Sequence, residues 1–194
     1  MIKSSFLISL VVFLQFDLFG QKVWQADPAN SNVQFEVTHM AISSVTGKFT
    51  SVECTMKTKK NGDFDGAVIE AKVAVNNINT GNMTRDKHLK EDDFFNNAKF
   101  PILSFSSTSF SRASSNRFQL TGNLTIRDVT KEITFPVEYS GMIELEDKTI
   151  SVFKGEFSIN RFDYNLKWDD TLDTGSLVVG EDVKVMLSLE FVKQ

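Results

Sequence analysis

Two histidines and one cysteine have the widest chemical repertoire in this chain of 194 residues. His39 and His88 could approach each other in a fold, but two imidazoles with no clear third ligand do not make a metal site. Cys54 has no second cysteine and no histidine beside it, so a small buried strand residue is expected there rather than a redox centre. Arg85, Asp86 and His88 are the one credible polar centre. They read first as a hydrogen-bonded cluster tying a short helix to a barrel rim. The sharper alternative has Arg85 and His88 touching the polar head of a bound ligand, since a guanidinium fork suits phosphate oxygens. The adjacent acids Asp92-Asp93 and Asp169-Asp170 read as solvated surface, not as a glycosidase pair. The chain has no Gly-x-Ser-x-Gly elbow, no phosphate-cradling Gly-x-x-x-x-Gly-Lys loop and no His-Glu-x-x-His. The expectation is a non-catalytic protein with no cofactor and no metal.

These residues must be positioned by strands. From residue 32 onward, apolar residues recur at every second position in stretches bounded by Gly, Asn, Asp and Ser. Val33, Phe35 and Val37 share one face; Ala67, Ile69, Ala71, Val73 and Val75 share another. The same alternation runs over 118–126, 133–139, 153–159 and 183–191, and less regular strands are expected at 45–56 and 102–110. The turns Asn61-Gly62-Asp63, Arg127-Asp128 and Glu146-Asp147-Lys148 fall between such runs, which predicts antiparallel neighbours. About eight strands with one wet face predict an all-β, extended antiparallel barrel, because closure removes exposed edges; a two-sheet sandwich is the competitor. Two segments break the rhythm. Residues 82–95 read as one short helix with an N-cap at Thr84, and His88, Leu89, Phe94 and Phe95 could lay it over a barrel mouth. Residues 160–176 read as a long loop.

With 41% hydrophobic and 24% charged residues the chain fits one globular domain rather than a disordered one. A net charge of -4 argues against a general nucleic-acid backbone binder. Residues 1–20 read as a secretory leader: Lys3, an apolar run from Phe6 to Phe16, then the small Gly20. A membrane span needs about 20 apolar residues, and this run is broken by Gln15 and ended by Asp17. Periplasmic or secreted localisation is expected, with no stable membrane anchor and a folded domain over 21–194. The sequence leaves a homodimer open.

Several stretches, in order, carry a resemblance. Trp24-Gln25-Ala26-Asp27-Pro28, Ser31 to His39 and Gly47-Lys48-Phe49 come first. Asn77-Ile78-Asn79-Thr80, Arg85 to Leu89 and Asp93-Phe94-Phe95 follow, then Phe100 to Ser107, Gly122 to Ile126 and Val129-Thr130-Lys131. The set resembles the YceI-like family. The resemblance implies an exported bacterial protein with a lipocalin-like barrel, whose interior holds a long apolar ligand such as a polyisoprenoid. Asn77 and Asp128 depart from the family's more usual Ser and Gly, and the 160–176 loop matches it weakly.

The expected ligand contacts follow from that reading and from the inward faces. They are Phe35, Val37, His39 and Phe49 early in the chain, then Ile69, Val73, Leu103 and Phe105, then Leu120, Phe135, Val137 and Phe157, with Arg85 and His88 at the mouth. The partner would be a long-chain isoprenoid or fatty amphiphile. Large inward residues alternate with Ala67, Ala71, Gly122 and Gly155, a mixture that fits either a tunnel or an interdigitated core. A filled barrel would instead suit a stress-related structural or partner-binding module; an enzyme acting on a lipid-borne group, centred on Arg85, Asp86 and His88, is the weaker alternative.

Overall fold

The computed structural model of the chain describes residues 20–194, so the expected leader lies, apart from Gly20, outside the described residues. Eleven hydrogen-bonded segments form one closed antiparallel barrel. The first stave is bent into β1 (Lys22–Ala26) and β2 (Asn32–His39), and the second into β3 (Ser43–Phe49) and β4 (Glu53–Thr58). The third consists of β5 (Val68–Ala74) and the short β6 (Ile78–Asn79). Five unbroken staves follow: β7 (Ile102–Arg112), β8 (Arg117–Ile126), β9 (Val129–Glu144), β10 (Thr149–Asn160) and β11 (Val179–Lys193). This is the eight-stranded barrel that the alternation predicts.

Closure runs through β11. Its last residues pair with β1, with Phe191 opposite Ala26 and Lys193 opposite Trp24. Its earlier residues pair with β2, with Leu187 opposite Val33 and Val183 opposite Val37. One long strand therefore spans both halves of the bent first stave. The bend follows from chemistry at Pro28, which has no N–H to give the ladder; beside it, the Asp27 carboxylate accepts from the Ala29 N–H at 2.9 Å.

Expectation and structure differ at two points. β1 precedes residue 32, where the alternation was expected to begin, yet its Trp24 is fully buried. Five residues ending just short of Pro28 are too few to display a period. The helix α1 covers only Met83–His88, and its N-cap is Asn82 rather than Thr84. Asn82 sits in extended backbone, and its side chain accepts from the N–H groups of Thr84 and Arg85 at 3.1 Å each. Residues beyond Leu89 continue as turns.

The barrel has two unlike ends. At the end where β1, β4 and the β9–β10 hairpin lie, Trp24, Phe110, Phe118, Phe153 and Phe191 are all buried. Phe64, in the loop between β4 and β5, folds in among them, with its ring 5.2 Å from Trp24 and 5.0 Å from Phe153. The Trp24 indole N–H donates to the Thr58 hydroxyl at 3.4 Å, so its polar edge is satisfied inside the plug. At the opposite end, residues 83–95 and the turn Arg161–Tyr164 lie across the strand ends.

Candidate functional site

Between that plug and the mouth the barrel is hollow. The cavity encloses about 1320 Å³ of empty space, counting the part open to solvent. All the long staves contribute to its wall through their inward positions: Val33, Phe35 and Val37 from β2, Leu103 and Phe105 from β7, Val183 to Leu189 from β11. Leu89, Phe94 and Phe95 close over it from the turns after α1, and Leu166 from the segment after Tyr164.

Glycines shape this wall. A Cβ placed at Gly47 would collide with the Phe35 ring, and one at Gly122 with the Phe105 ring. A Cβ at Gly155 would lie 3.1 Å from the Phe135 ring. Each ring therefore lies back over a neighbouring strand that has no side chain at that point, instead of reaching across the bore. The small residues seen in the sequence make room for rings against the wall.

The polar residues lie elsewhere. Arg85 donates from Nε to the Thr80 hydroxyl at 2.8 Å and from Nη2 to the Thr80 carbonyl at 3.1 Å. Asp86 accepts from the Thr80 N–H at 2.8 Å and from its hydroxyl at 2.6 Å. This knot ties α1 to the chain just after β6. His88 is not part of it: its Nε2 is 2.9 Å from Asp93 Oδ2, and its ring stands edge-on to Phe94 and Trp168. Trp168 stacks on Phe94 at 5.6 Å, and the Asp93 carbonyl accepts from the Lys167 and Trp168 N–H groups. The residues after α1 are thus latched to those after Tyr164.

Of the expected contacts, Phe35, Val37, Phe49, Ile69 and Val73 line the cavity, as do Leu103, Phe105, Leu120, Phe135 and Phe157. Val137 does not: it is buried opposite Phe118, one inward step toward the plug from Phe135. His39, Arg85 and His88 also stand outside the lining. His39 is the last residue of β2, opposite Ser43 and Val179; Val179 borders the cavity and His39 does not. Sequence reasoning passed over Val183, Val185, Leu187 and Leu189 as contacts, although their alternation was plain. Cys54 also lines the cavity, and burial pushes its thiol pKa up to about 12, so the thiol is inert at neutral pH.

Arg161 is the larger omission, because it is the one charged side chain in the lining. It is 2% exposed, and its guanidinium donates to four carbonyl oxygens. Nothing in a loop of mixed polarity distinguishes this arginine from a solvated one.

Comparison with known proteins places this geometry among relatives. The YceI-like domain model matches residues 24–191. UPF0312 protein SAS2572 of Staphylococcus aureus (strain MSSA476) is 32% identical over 167 residues, covering 85% of this chain and 94% of that protein. A crystal structure of the Campylobacter jejuni YCEI protein superposes with a TM-score of 0.66 at 28% identity, covering 79% of this chain and 87% of the other. Burkholderia cenocepacia BcnA gives a TM-score of 0.72 at 21% identity, over 85% and 98% of the two chains. A polyisoprenoid binding domain from Saccharophagus degradans, described as implicated in plant cell wall breakdown, gives 0.63 at 16% identity over 87% and 97%. The last two likenesses concern the fold alone.

Proposed function

The chain belongs to the YceI-like family, and from that premise we propose that it holds a polyisoprenoid or similar long-chain amphiphile inside the barrel without catalysing a reaction on it. The hollow, almost wholly apolar bore carries this reading. Each CH₂ moved from water into such a wall contributes about 0.8 kcal/mol, so a long tail binds by length alone, less the cost of ordering it. The polyisoprenoid class is supported by the name of the Saccharophagus degradans domain. A filled barrel serving only as a partner-binding module is disfavoured by the cavity. The enzyme reading is disfavoured too, because Arg85 and Asp86 are engaged by Thr80, His88 meets Asp93, and none of the three lines the cavity.

Export is part of the proposal: the pattern of residues 1–20 supports delivery to the periplasm or medium with cleavage after Gly20. The test is to express the full chain in bacteria, purify it, extract it with organic solvent and weigh the extract by mass spectrometry. A stoichiometric long-chain amphiphile is expected, and N-terminal sequencing should begin at Gln21. Protein that carries no lipid and, once stripped, takes up no long-chain amphiphile would overturn the carrier reading.

A further inference from the structure

We infer that an uncharged face beside the cavity mouth docks on a lipid bilayer, with Ile42 and Met83 entering the head-group region, so that cargo passes between membrane and bore there. This goes beyond the carrier reading and rests on it for the choice of occupant. The turn between β2 and β3 holds Met40 and Ala41 in left-handed backbone, at φ 51° and 59°, and the Ile42 N–H donates to the His39 carbonyl at 3.3 Å. Such positions favour Asn and Gly, because a Cβ crowds the following carbonyl. The chain places Met-Ala-Ile there instead, and Ile42 is 91% exposed. Met83, the first residue of α1, is 89% exposed. No other large apolar side chain among the described residues stands as far into water.

The two elements meet beside the bore. β3 pairs with β6 through Phe49 and Ile78, and a Cβ at Gly47 would lie 2.9 Å from the Thr80 methyl. The Met40 N–H donates to the Val178 carbonyl at 2.7 Å, next to Val179 in the cavity wall; Leu89, which caps α1, lines the cavity as well. Residues 37–47 and 73–84 contain no Lys, Arg, Asp or Glu, in a chain that is 24% charged. Lowering this face among head groups therefore strips water from no full charge, the costly case. The bordering charges have both signs, Lys48 on β3 and Glu181 and Asp182 in the β11 bulge beside Thr38, so a zwitterionic bilayer suits the face at least as well as an anionic one. The β9–β10 hairpin at the plug also exposes Ile143 and Leu145, but Glu144, Glu146, Asp147 and Lys148 stand among them. A long-chain amphiphile resides in a bilayer rather than in water, so a carrier meets that surface at its mouth. Two side chains give a reversible contact, not an anchor.

The experiment mixes the full chain, stripped of lipid, with vesicles of pure phosphatidylcholine or of equal parts phosphatidylcholine and phosphatidylglycerol. Flotation reads docking, and transfer of a fluorescent long-chain probe from the vesicles reads loading. Protein should float with both vesicles, no more with the anionic ones, and added salt should not release it from the neutral ones. Ile42→Ser combined with Met83→Ser should lower partitioning at least about tenfold and slow transfer to match, with affinity for probe added from ethanol unchanged. Ile143→Ser should alter neither. Protein that stays off neutral vesicles, or a double variant that floats like wild type, overturns the docking, and uptake of ethanol-delivered probe then spares the carrier. Docking lost in the double variant of a protein that takes up no probe upholds the face and rejects the carrier. A dimer in sedimentation that the double variant breaks would assign the face to a second copy and overturn the proposal.

Discussion

At the closed end of the barrel, Phe153 is ringed by Phe64, Phe110, Phe118, Tyr139 and Phe191, at centroid distances from 5.0 to 6.3 Å. Phe157, four residues along the same strand, meets one ring, Phe135 at 4.6 Å, and otherwise borders empty space. The residue type is the same and the strand is the same. Two things separate them. A loop supplies an extra ring, Phe64, to the closed end, and glycines let Phe35, Phe105 and Phe135 lie back at the other. Aromatic content does not decide whether a barrel is solid; the partner of each ring does. A well-packed interior stabilises, whereas a bordered void forfeits contacts on one side.

The sharpest way to break this contrast is to truncate one ring at each end. Phe153→Ala should cost about 3–5 kcal/mol in denaturant unfolding, and Phe157→Ala roughly half as much, because part of its surface has no neighbour to lose. Equal losses would mean that the mouth end is as tightly packed as the plug. The next effect falls on binding. Gly47→Ala must drive the Phe35 ring off the wall and into the bore, so affinity for a long-chain probe should fall at least about tenfold, or about 1.4 kcal/mol, in a fluorescence titration.

A third measurement uses Cys54, which lines the void yet is itself buried. Its folded pKa, about 12, lies above the ordinary 9.0, so the folded protein keeps a proton that the unfolded chain sheds first. Stability from this group is therefore fully present below pH 9 and is lost as pH rises toward 12. Against Cys54→Ala, the wild type should lose about 1 kcal/mol by pH 10 in paired unfolding curves. No difference would mean that water reaches the thiol from the cavity. The smallest effect belongs outside both ends: Lys131 and Asp163 pair at 2.8 Å in solvent, and Lys131→Met should change stability by no more than about 0.5 kcal/mol.

The contrast also marks what the sequence could say. Alternation at Val33-Phe35-Val37 or Leu120-Gly122-Leu124 displays which side chains point inward, because a strand has period two whatever it faces. It does not display what lies opposite, so Phe153 and Phe157 look alike on the page. Gly122 and Gly155 stood out as small inward residues, but whether they invite interdigitation or shelter a ring depends on diagonal neighbours across strands. Phe64 was hidden by its position in a turn region rich in Asn, Gly and Asp. Arg161 was hidden by the loop that buries it, since its partners are main-chain oxygens that no side-chain pattern records.

A similar grip occurs at the β8–β9 turn, where Arg127 Nη1 donates to the carbonyls of Asp92, Phe94 and Asn165. Carbonyl oxygens are present whichever amino acid bears them. The rim can therefore exchange many of its side chains between lineages without loosening, provided that the two arginines and the backbone path survive. Such tolerance keeps the shape of the entrance independent of the side chains that border it, while the staves below stay put.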